Sequence, residues 1–444
     1  TNITQNMDQR NSKFKEDDAG YSMQEAIDEA KRCLNCKKPS CIAGCPIAND
    51  IPDFIHQLSM GNLGGAMGII NAKSNLPAIC GRVCPHEKQC EGHCILNKKD
   101  NPIKIGRLER FIADFDTNMD LIREKLPQKT RGKVAVIGSG PAGLTVAGDL
   151  ARIGFNVTII EKQEEAGGVL MYGIPEYRLP KDVVRKEIKK IENLGVTFLT
   201  NRGVGIDFTV DSIFDQGFDA VFIGSGTAQP KTLDMPGSTL KGIIQSSYFL
   251  QMASLYSIGQ IDEDEVPFRS GEKVGIIGCG NVAMDAARTA IKMGAKEVTV
   301  ISNDVIENMP ALKAEYDFAI KDGAHFLWET DTIEFLGDEN SEYVIGIRTN
   351  TPEGEKVHNF DRILLAIGSK PANKIVSTTK GINVDDTGYV ITKQKPYGMT
   401  TRRGVFAGGD VVNKPQTVVL AMKDAKQVAA GIAQYIDAVK LLEE

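Results

Sequence analysis

One local pattern occurs twice in this chain. Lys133 to Ile137 is a short run rich in Val and Ile, the composition of a buried strand. It runs into Gly138-Ser139-Gly140-Pro141-Ala142-Gly143. Leu144 to Ile153 then reads as a helix, and Val157 to Ile160 as a second strand ending at Glu161. About 140 residues on, Lys273 to Ile277 leads into Gly278-Cys279-Gly280-Asn281-Val282-Ala283, a helix to Met293 and a strand from Val298 to Ile301. Strand, G-x-G-x-x-G (or Ala in the last place), helix and strand make a dinucleotide-binding βαβ unit. The first glycine permits the tight turn. The second lets backbone N–H groups approach a pyrophosphate, and the third position must be small for the helix to pack on the strand. The helix N-terminus faces the anion. Gly138, Ser139, Gly140, Pro141, Ala142 and Gly143 are therefore expected to line one dinucleotide, with Glu161 accepting from its ribose hydroxyls. Gly278, Gly280, Asn281 and Val282 would line another. Two such sites in one chain point to one flavin and one nicotinamide dinucleotide.

Cysteines are the second constraint. Eight of the nine lie between Cys33 and Cys94, as Cys33-x2-Cys36-x4-Cys41-x3-Cys45-Pro46 and Cys80-x3-Cys84-Pro85-x4-Cys90-x3-Cys94. A reducing compartment disfavours a disulfide framework, so the cluster reads as metal ligation. Zinc favours paired C-x2-C motifs with histidine. Here there is one C-x2-C, longer gaps otherwise, and proline after Cys45 and Cys84, which fits two [4Fe–4S] clusters better. His86 and His93 are read as solvated or supporting groups, not ligands. Cys279 reads as a small apolar filler in the second loop. Without a C-x-x-C partner it argues against dithiol exchange.

The 444 residues suggest about three domains. A net charge of −6 with no long basic run makes nucleic acid an unexpected partner. No apolar run of about 18 residues predicts a membrane span, and the polar first 20 residues do not resemble a signal peptide. A cytoplasmic location is expected. Met23, Ala26, Ile27 and Ala30 predict an amphipathic helix over 22–32, with further helices at Ile51 to Leu58 and Leu108 to Phe115. Pro127 and the polar run to Gly132 read as a linker, and 259–271 as a solvated loop. The fold class is thus α/β, with an N-terminal helical iron–sulfur domain before two Rossmann-like domains, the second inserted into the first. The expected bounds are 1–130 for the helical cluster domain, 131–240 and 365–444 for the two halves of the flavin domain, and 241–364 for the nicotinamide domain.

The chain resembles the glutamate synthase small-subunit family. Wider relatives include the electron-input half of dihydropyrimidine dehydrogenase and the large subunit of bifurcating NADH-dependent ferredoxin:NADP oxidoreductases. The markers are Leu76 to Pro85 (LPAICGRVCP), Gly167 to Pro175 (GGVLMYGIP), Asn281 to Asp285 (NVAMD), Gly224-Ser225-Gly226, Ala366-Ile367-Gly368 and Gly408-Gly409-Asp410. The resemblance implies FAD in the first dinucleotide fold. Gly168 and Gly173 would lie along the isoalloxazine. Gly409, Asp410 and Thr417, before the last helix, would lie at the ribityl and pyrophosphate region. Asp285, Gly226 and Gly368 would place the nicotinamide. It also implies interleaved cluster ligands. One cluster would use Cys33, Cys36, Cys41 and Cys94; the other Cys45, Cys84, Cys90 and Glu109, leaving Cys80 spare. The rival assignment gives Cys80 the fourth place.

One stretch departs from the family. Most relatives place two arginines after the second strand of the nicotinamide domain, to hold the 2′-phosphate of NADPH. Here the stretch is Ser302-Asn303-Asp304, with no arginine between Ile301 and Met309. A phosphate beside Asp304 would meet like charge, whereas a ribose hydroxyl could donate to it. NADH is therefore expected over NADPH. The resemblance implies a hydride passed from the nicotinamide to FAD, and single electrons passed on through the clusters to a separate catalytic or electron-acceptor subunit. Neither an amidotransferase nor an FMN barrel finds room among three modules already placed.

Overall fold

The structure is a computed structural model that describes residues 2–120 and 124–444. Its contacts divide the chain into two compact units. The first comprises the chain up to Asp17, Tyr172–Arg178 and Pro230–Ser369. The second comprises Asp18–Met171, Leu179–Gln229 and Lys370–Glu444.

In the second unit the cysteine region is helical. Ser22 caps the helix Met23–Lys31 by accepting from Glu25 N while Glu25 accepts from Ser22 N, at 3.2 and 3.0 Å. That reciprocal box satisfies two of the helix's free amides. The helix Ile51–Ser59 buries Ile51, Phe54, Ile55 and Leu58, spaced i, i+3, i+4 and i+7. Leu63–Asn71, Pro77–Val83 and Ile105–Met119 complete the bundle. They close on one core of Phe54, Ile55, Leu58, Met67, Ile70, Leu108 and Ile112. Each such side chain contributes roughly 1.5–3 kcal/mol by leaving water.

The same unit continues into a seven-stranded sheet in the order 392–394, 397–400, 405–407, 220–223, 132–137, 155–160, 197–199. The five strands from 405–407 to 197–199 are parallel; the first two join antiparallel. Val134, Ala135 and Val136 are buried, as a strand covered on both faces requires. The helix Pro141–Arg152 follows the first strand, and the C-terminal helix runs Val418–Glu443.

The first unit carries a five-stranded parallel sheet, ordered 243–245, 362–365, 273–277, 297–301, 325–327. The helix Asn281–Lys292 follows the strand Lys273–Ile277. An antiparallel meander of Asp331–Gly337, Val344–Thr351 and Gly354–Asn359, which no sequence pattern announced, precedes the strand Arg362–Leu365. The helix Asn2–Lys13 was likewise unforeseen. Phe14 just after it is buried edge-on against Tyr256, so this segment packs with the first unit. The α/β class with an N-terminal helical region and two Rossmann-like sheets is as the sequence predicts.

Candidate functional site

At the first glycine-rich loop, Gly138 has φ +97°, and a Cβ there would lie 2.5 Å from Gly224 O. A Cβ on Gly143 would lie 2.0 Å from Gly138 O. These two glycines are required by the protein's own packing. Gly140 differs, since a Cβ there meets nothing within 4 Å. Its lack of a side chain serves no internal contact, and it leaves a bare cradle at the helix N-terminus, which suits an anion that needs close backbone approach. Ser139 joins the parts. Its N and Oγ donate to Glu161 Oε1 at 3.2 and 2.5 Å, and its Oγ accepts from Gly167 N at 2.9 Å. A Cβ on Gly168 would meet Gly140 Cα at 2.9 Å, and one on Gly409 would meet Ala142 Cβ at 2.8 Å. Gly138 to Gly143, Glu161, Gly168 and Gly409 thus converge. Pro141 opens the helix, where its missing N–H costs nothing. Gly226, with φ +64°, faces open space. Asp410 accepts from Gln416 N at 3.2 Å, and burial pushes its carboxyl up to about 6. Thr417 caps the last helix by accepting from Leu420 N. Gly173 lies in the segment Tyr172–Arg178, which belongs to the first unit.

The second loop repeats this construction. A Cβ on Gly278, φ +123°, would lie 2.2 Å from Ala366 O, and one on Gly280 meets nothing within 4 Å. Ala283 is fully buried against the strand, while Val282 is 48% exposed. Cys279 takes the place of Ser139: its Sγ donates to Asp304 Oδ2 at 3.8 Å and accepts from Ser302 Oγ at 3.2 Å. Asp304 N donates to Ser302 Oγ at 3.1 Å, so the acid is held beside the loop as Glu161 is beside the first. Asn303 is exposed, and Asn281 Oδ1 accepts from Leu312 N at 3.0 Å. Gly368, φ +98°, follows the strand Arg362–Leu365, and its carbonyl accepts from Lys231 N. Asp285 is committed inward. It pairs with Arg178 at 2.7 Å, and burial pushes its carboxyl up to about 6 against that guanidinium's pull. Arg178 also meets Glu315 at 3.6 Å, and Tyr177 Oη donates to Asp285 O. Sequence reasoning missed Arg178. A lone Arg in IPEYRLP carries no signal that its partner lies over 100 positions away.

The N-terminal cysteines divide between two cavities. Cys33, Cys36, Cys41 and Cys94 line one, with Leu34, Lys38, Ile55 and Ile95. Cys45, Cys80, Cys84, Cys90 and Glu109 line the other, with His86, Ile105 and Val419. Burial pushes the Cys41 and Cys45 thiols up to about 11 and Cys90 further. The neighbouring Cys80 thiol, with burial, does the same to Cys84. Such thiols ionise only beside strong positive charge. Among the described residues, the only histidine, cysteine or carboxylate group drawn close enough for one metal ion is the exposed Asp262, Asp264 and Glu265. The cysteines are spread around their cavities instead, which suits a larger polynuclear body. Both rivals for the fourth place face the second cavity. Cys80 Sγ already contacts Met422 Sδ at 3.5 Å. Glu109 Oε1 is buried without a hydrogen-bond partner, and burial, with the Glu187 carboxylate nearby, pushes Glu109 up to about 8. An unpartnered buried oxygen aimed into a thiol-lined cavity suits a metal ligand. His86 also faces this cavity and is not solvated; burial lowers it to about 4. His93 is exposed and bonds Gln89 O at 2.6 Å.

Residues 10–121 match the family described as dihydropyrimidine dehydrogenase domain II, 4Fe-4S cluster, and residues 132–425 match pyridine nucleotide-disulphide oxidoreductases. The glutamate synthase (NADPH) small chain of Halomonas elongata is 33% identical over 94% of this chain and 92% of its own. The chain belongs to the glutamate synthase small-chain family. That family extends to other FAD- and iron–sulfur-linked NAD(P)H oxidoreductases. One is the NAD-dependent dihydropyrimidine dehydrogenase subunit PreT of Escherichia coli K12, 33% identical over 93% of this chain and 94% of its own. FprA of Mycobacterium tuberculosis shares the fold at 18% identity and a TM-score of 0.58, over 70% of this chain and 86% of its own. As a member of this family the protein is an NAD(P)H- and FAD-dependent oxidoreductase, as the sequence resemblance implied. Among the described residues no helix is long and apolar enough to cross a membrane.

Proposed function

We propose that this member of the small-chain family oxidises NADH at its second glycine-rich loop and delivers the electrons singly, through two [4Fe–4S] clusters, to a separate acceptor subunit. The reading takes 131–240 and 365–444 as the flavin domain, 241–364 as the nicotinamide domain and the preceding residues as the cluster domain. The observation that carries it is the division of eight cysteines and Glu109 between two cavities in the unit that also holds the Gly138 loop. Bound FAD supplies two-electron acceptance with one-electron release, the conversion that clusters require. The chain's own residues do the rest. Gly138, Gly140, Gly143 and the Pro141–Arg152 helix N-terminus bind the flavin pyrophosphate, and Glu161 takes the ribose. Gly278, Gly280 and the Asn281–Lys292 helix do the same for the nicotinamide dinucleotide, with Asp304 on its adenosine ribose. Cys33, Cys36, Cys41 and Cys94 hold one cluster; Cys45, Cys84, Cys90 and Glu109 hold the other. Val419, on the first turn of the helix that follows Asp410 and Thr417, lines the second cavity, which supports that cluster as the one nearer the flavin.

Anaerobic isolation tests this reading. The expected protein is yellow-brown, with one FAD and about eight iron atoms per chain. Cys84→Ser and Glu109→Ala each halve the iron, whereas Cys80→Ser leaves it whole. Iron-free protein that still reduces a protein acceptor at full rate would end the proposal. Iron lost from Cys80→Ser and kept by Glu109→Ala would reassign the ligand.

A further inference from the structure

The cavity lined by Cys33, Cys36, Cys41 and Cys94 opens among unusual surface residues. Leu34 and Ile95, which line it, are 61% and 50% exposed. Large apolar side chains at the mouth of a thiol-lined cavity leave water to be displaced by something. The two segments that carry them are tied together, since Arg32 Nη2 donates to Asn101 O at 2.9 Å. Both segments are basic. Lys37 and Lys38 follow Cys36, and Lys98 and Lys99 end the 3-10 turn Ile95–Lys99. All four are exposed, and none forms an ion pair among the described residues. The exposed acids on the elements lining this cavity are Asp53 and Asp100. Glu29, on the preceding helix, is occupied by Arg32. A chain of net charge −6 thus concentrates unpaired positive charge, around two exposed aliphatic side chains, at one cluster cavity.

We propose that this collar is the electron-exit dock, and that its occupant is a one-electron redox protein or subunit presenting an acidic rim around an apolar centre. The proposal rests on the relay reading above and names the chemistry of the acceptor. Leu34 and Ile95 exclude water at the point of closest approach. The lysines draw an acidic partner in and orient it, and they repel a basic one. A small apolar centre within a charged rim gives fast, short-lived encounters, as repeated single-electron delivery requires.

The test uses the whole holoprotein with NADH and two haem probes of opposite charge, the acidic cytochrome b5 and the basic cytochrome c. Menadione, a small neutral quinone, serves as the third acceptor. Cytochrome b5 reduction is expected to be the faster and to fall steeply as salt rises. Lys37→Glu/Lys98→Glu/Lys99→Glu is expected to cut kcat/KM for cytochrome b5 about tenfold or more, raise that for cytochrome c, and leave menadione reduction unchanged. Leu34→Ser/Ile95→Ser is expected to lower cytochrome b5 reduction without changing its salt dependence. Equal rates with both haem proteins, or no change on charge reversal, overturn the dock. So does a dimer of this chain that the lysine variant dissociates, for the collar would then seat a second copy. Cys36→Ser separates the two claims. If it abolishes cytochrome b5 reduction while charge reversal does nothing, the relay stands and the dock falls. If cytochrome b5 reduction survives Cys36→Ser, the relay itself falls.

Discussion

Two acids decide most at the scale of single residues. Asp304 is held against its loop by Cys279 and Ser302, where a 2′-phosphate would meet negative charge. Asn303→Arg/Asp304→Arg is expected to reverse the cofactor preference, shifting the NADPH-to-NADH ratio of kcat/KM by roughly 10- to 100-fold, the worth of one or two charge-assisted bonds. Wild-type protein that already prefers NADPH would refute the reading. Glu109 is the second. With its carboxyl pushed up to about 8 from an ordinary 4.5, the folded, iron-depleted chain holds this proton where the unfolded chain has released it. Stability of iron-depleted protein is therefore highest below about pH 4.5 as far as Glu109 is concerned, and falls as pH rises toward 8. Thermal unfolding across that range should show a shallower decline in Glu109→Gln. The position of Asp304 beside the second loop was within reach of the sequence because the family resemblance fixes that stretch between the second strand and Met309-Pro310. Arg178 and Lys181 were not. Lys181 is fully buried and donates to Leu170 O at 2.8 Å beneath the Gly167–Gly168 turn. Nothing in a lysine between proline and aspartate announces burial.

Elements were legible where a local pattern had only one solution. The strand Lys273–Ile277 falls where its Val and Ile run places it, and the helix Asn281–Lys292 begins directly after Gly280, its N-cap, inside the glycine motif. The meander over 331–359 escaped notice because its outer face is mixed. Ile345 and Val357 are exposed there, so the alternation that marks a half-buried sheet is broken. The cysteine spacing pointed to clusters but left Cys80 and Glu109 open, since the choice depends on how two helices face one cavity. The two glycine roles also separate here. Gly140→Ala, at φ −73° with open space around its Cβ, should change fold stability by less than about 1 kcal/mol while lowering FAD retention tenfold or more. Gly143→Ala, whose Cβ would lie 2.0 Å from Gly138 O, should lower the melting temperature itself, at a cost of about 1–3 kcal/mol. Flavin-to-protein ratios and thermal scans distinguish the pair, and equal effects would contradict the assignment of Gly140 to a ligand.

Neither unit is continuous along the chain as a whole. The backbone passes from one to the other at Asp17, Met171, Arg178, Gln229 and Ser369. The sheet of the second unit seats Val405–Ala407 beside Ala220–Ile223, so its order is complete only when nearly the whole polypeptide is present. Long-range pairing of this kind folds slowly. Deleting residues 401–444 should expose the buried strand Ala220–Ile223 as an edge and drive the product into aggregates, measured as soluble yield. The C-terminal helix has a further bearing. Its first turns touch Cys80 through Met422 and reach the second cavity through Val419, while its Asp424 accepts from Gly409 N at 2.8 Å. On the reading proposed above, one short stretch of backbone would border both the flavin and the second cluster, so loss of either group is expected to loosen the hold on the other. Chain made under iron starvation is then expected to carry less of its vitamin-derived pigment as well, read as the flavin-to-protein ratio of iron-poor against iron-replete material, and an unchanged ratio would overturn the expectation.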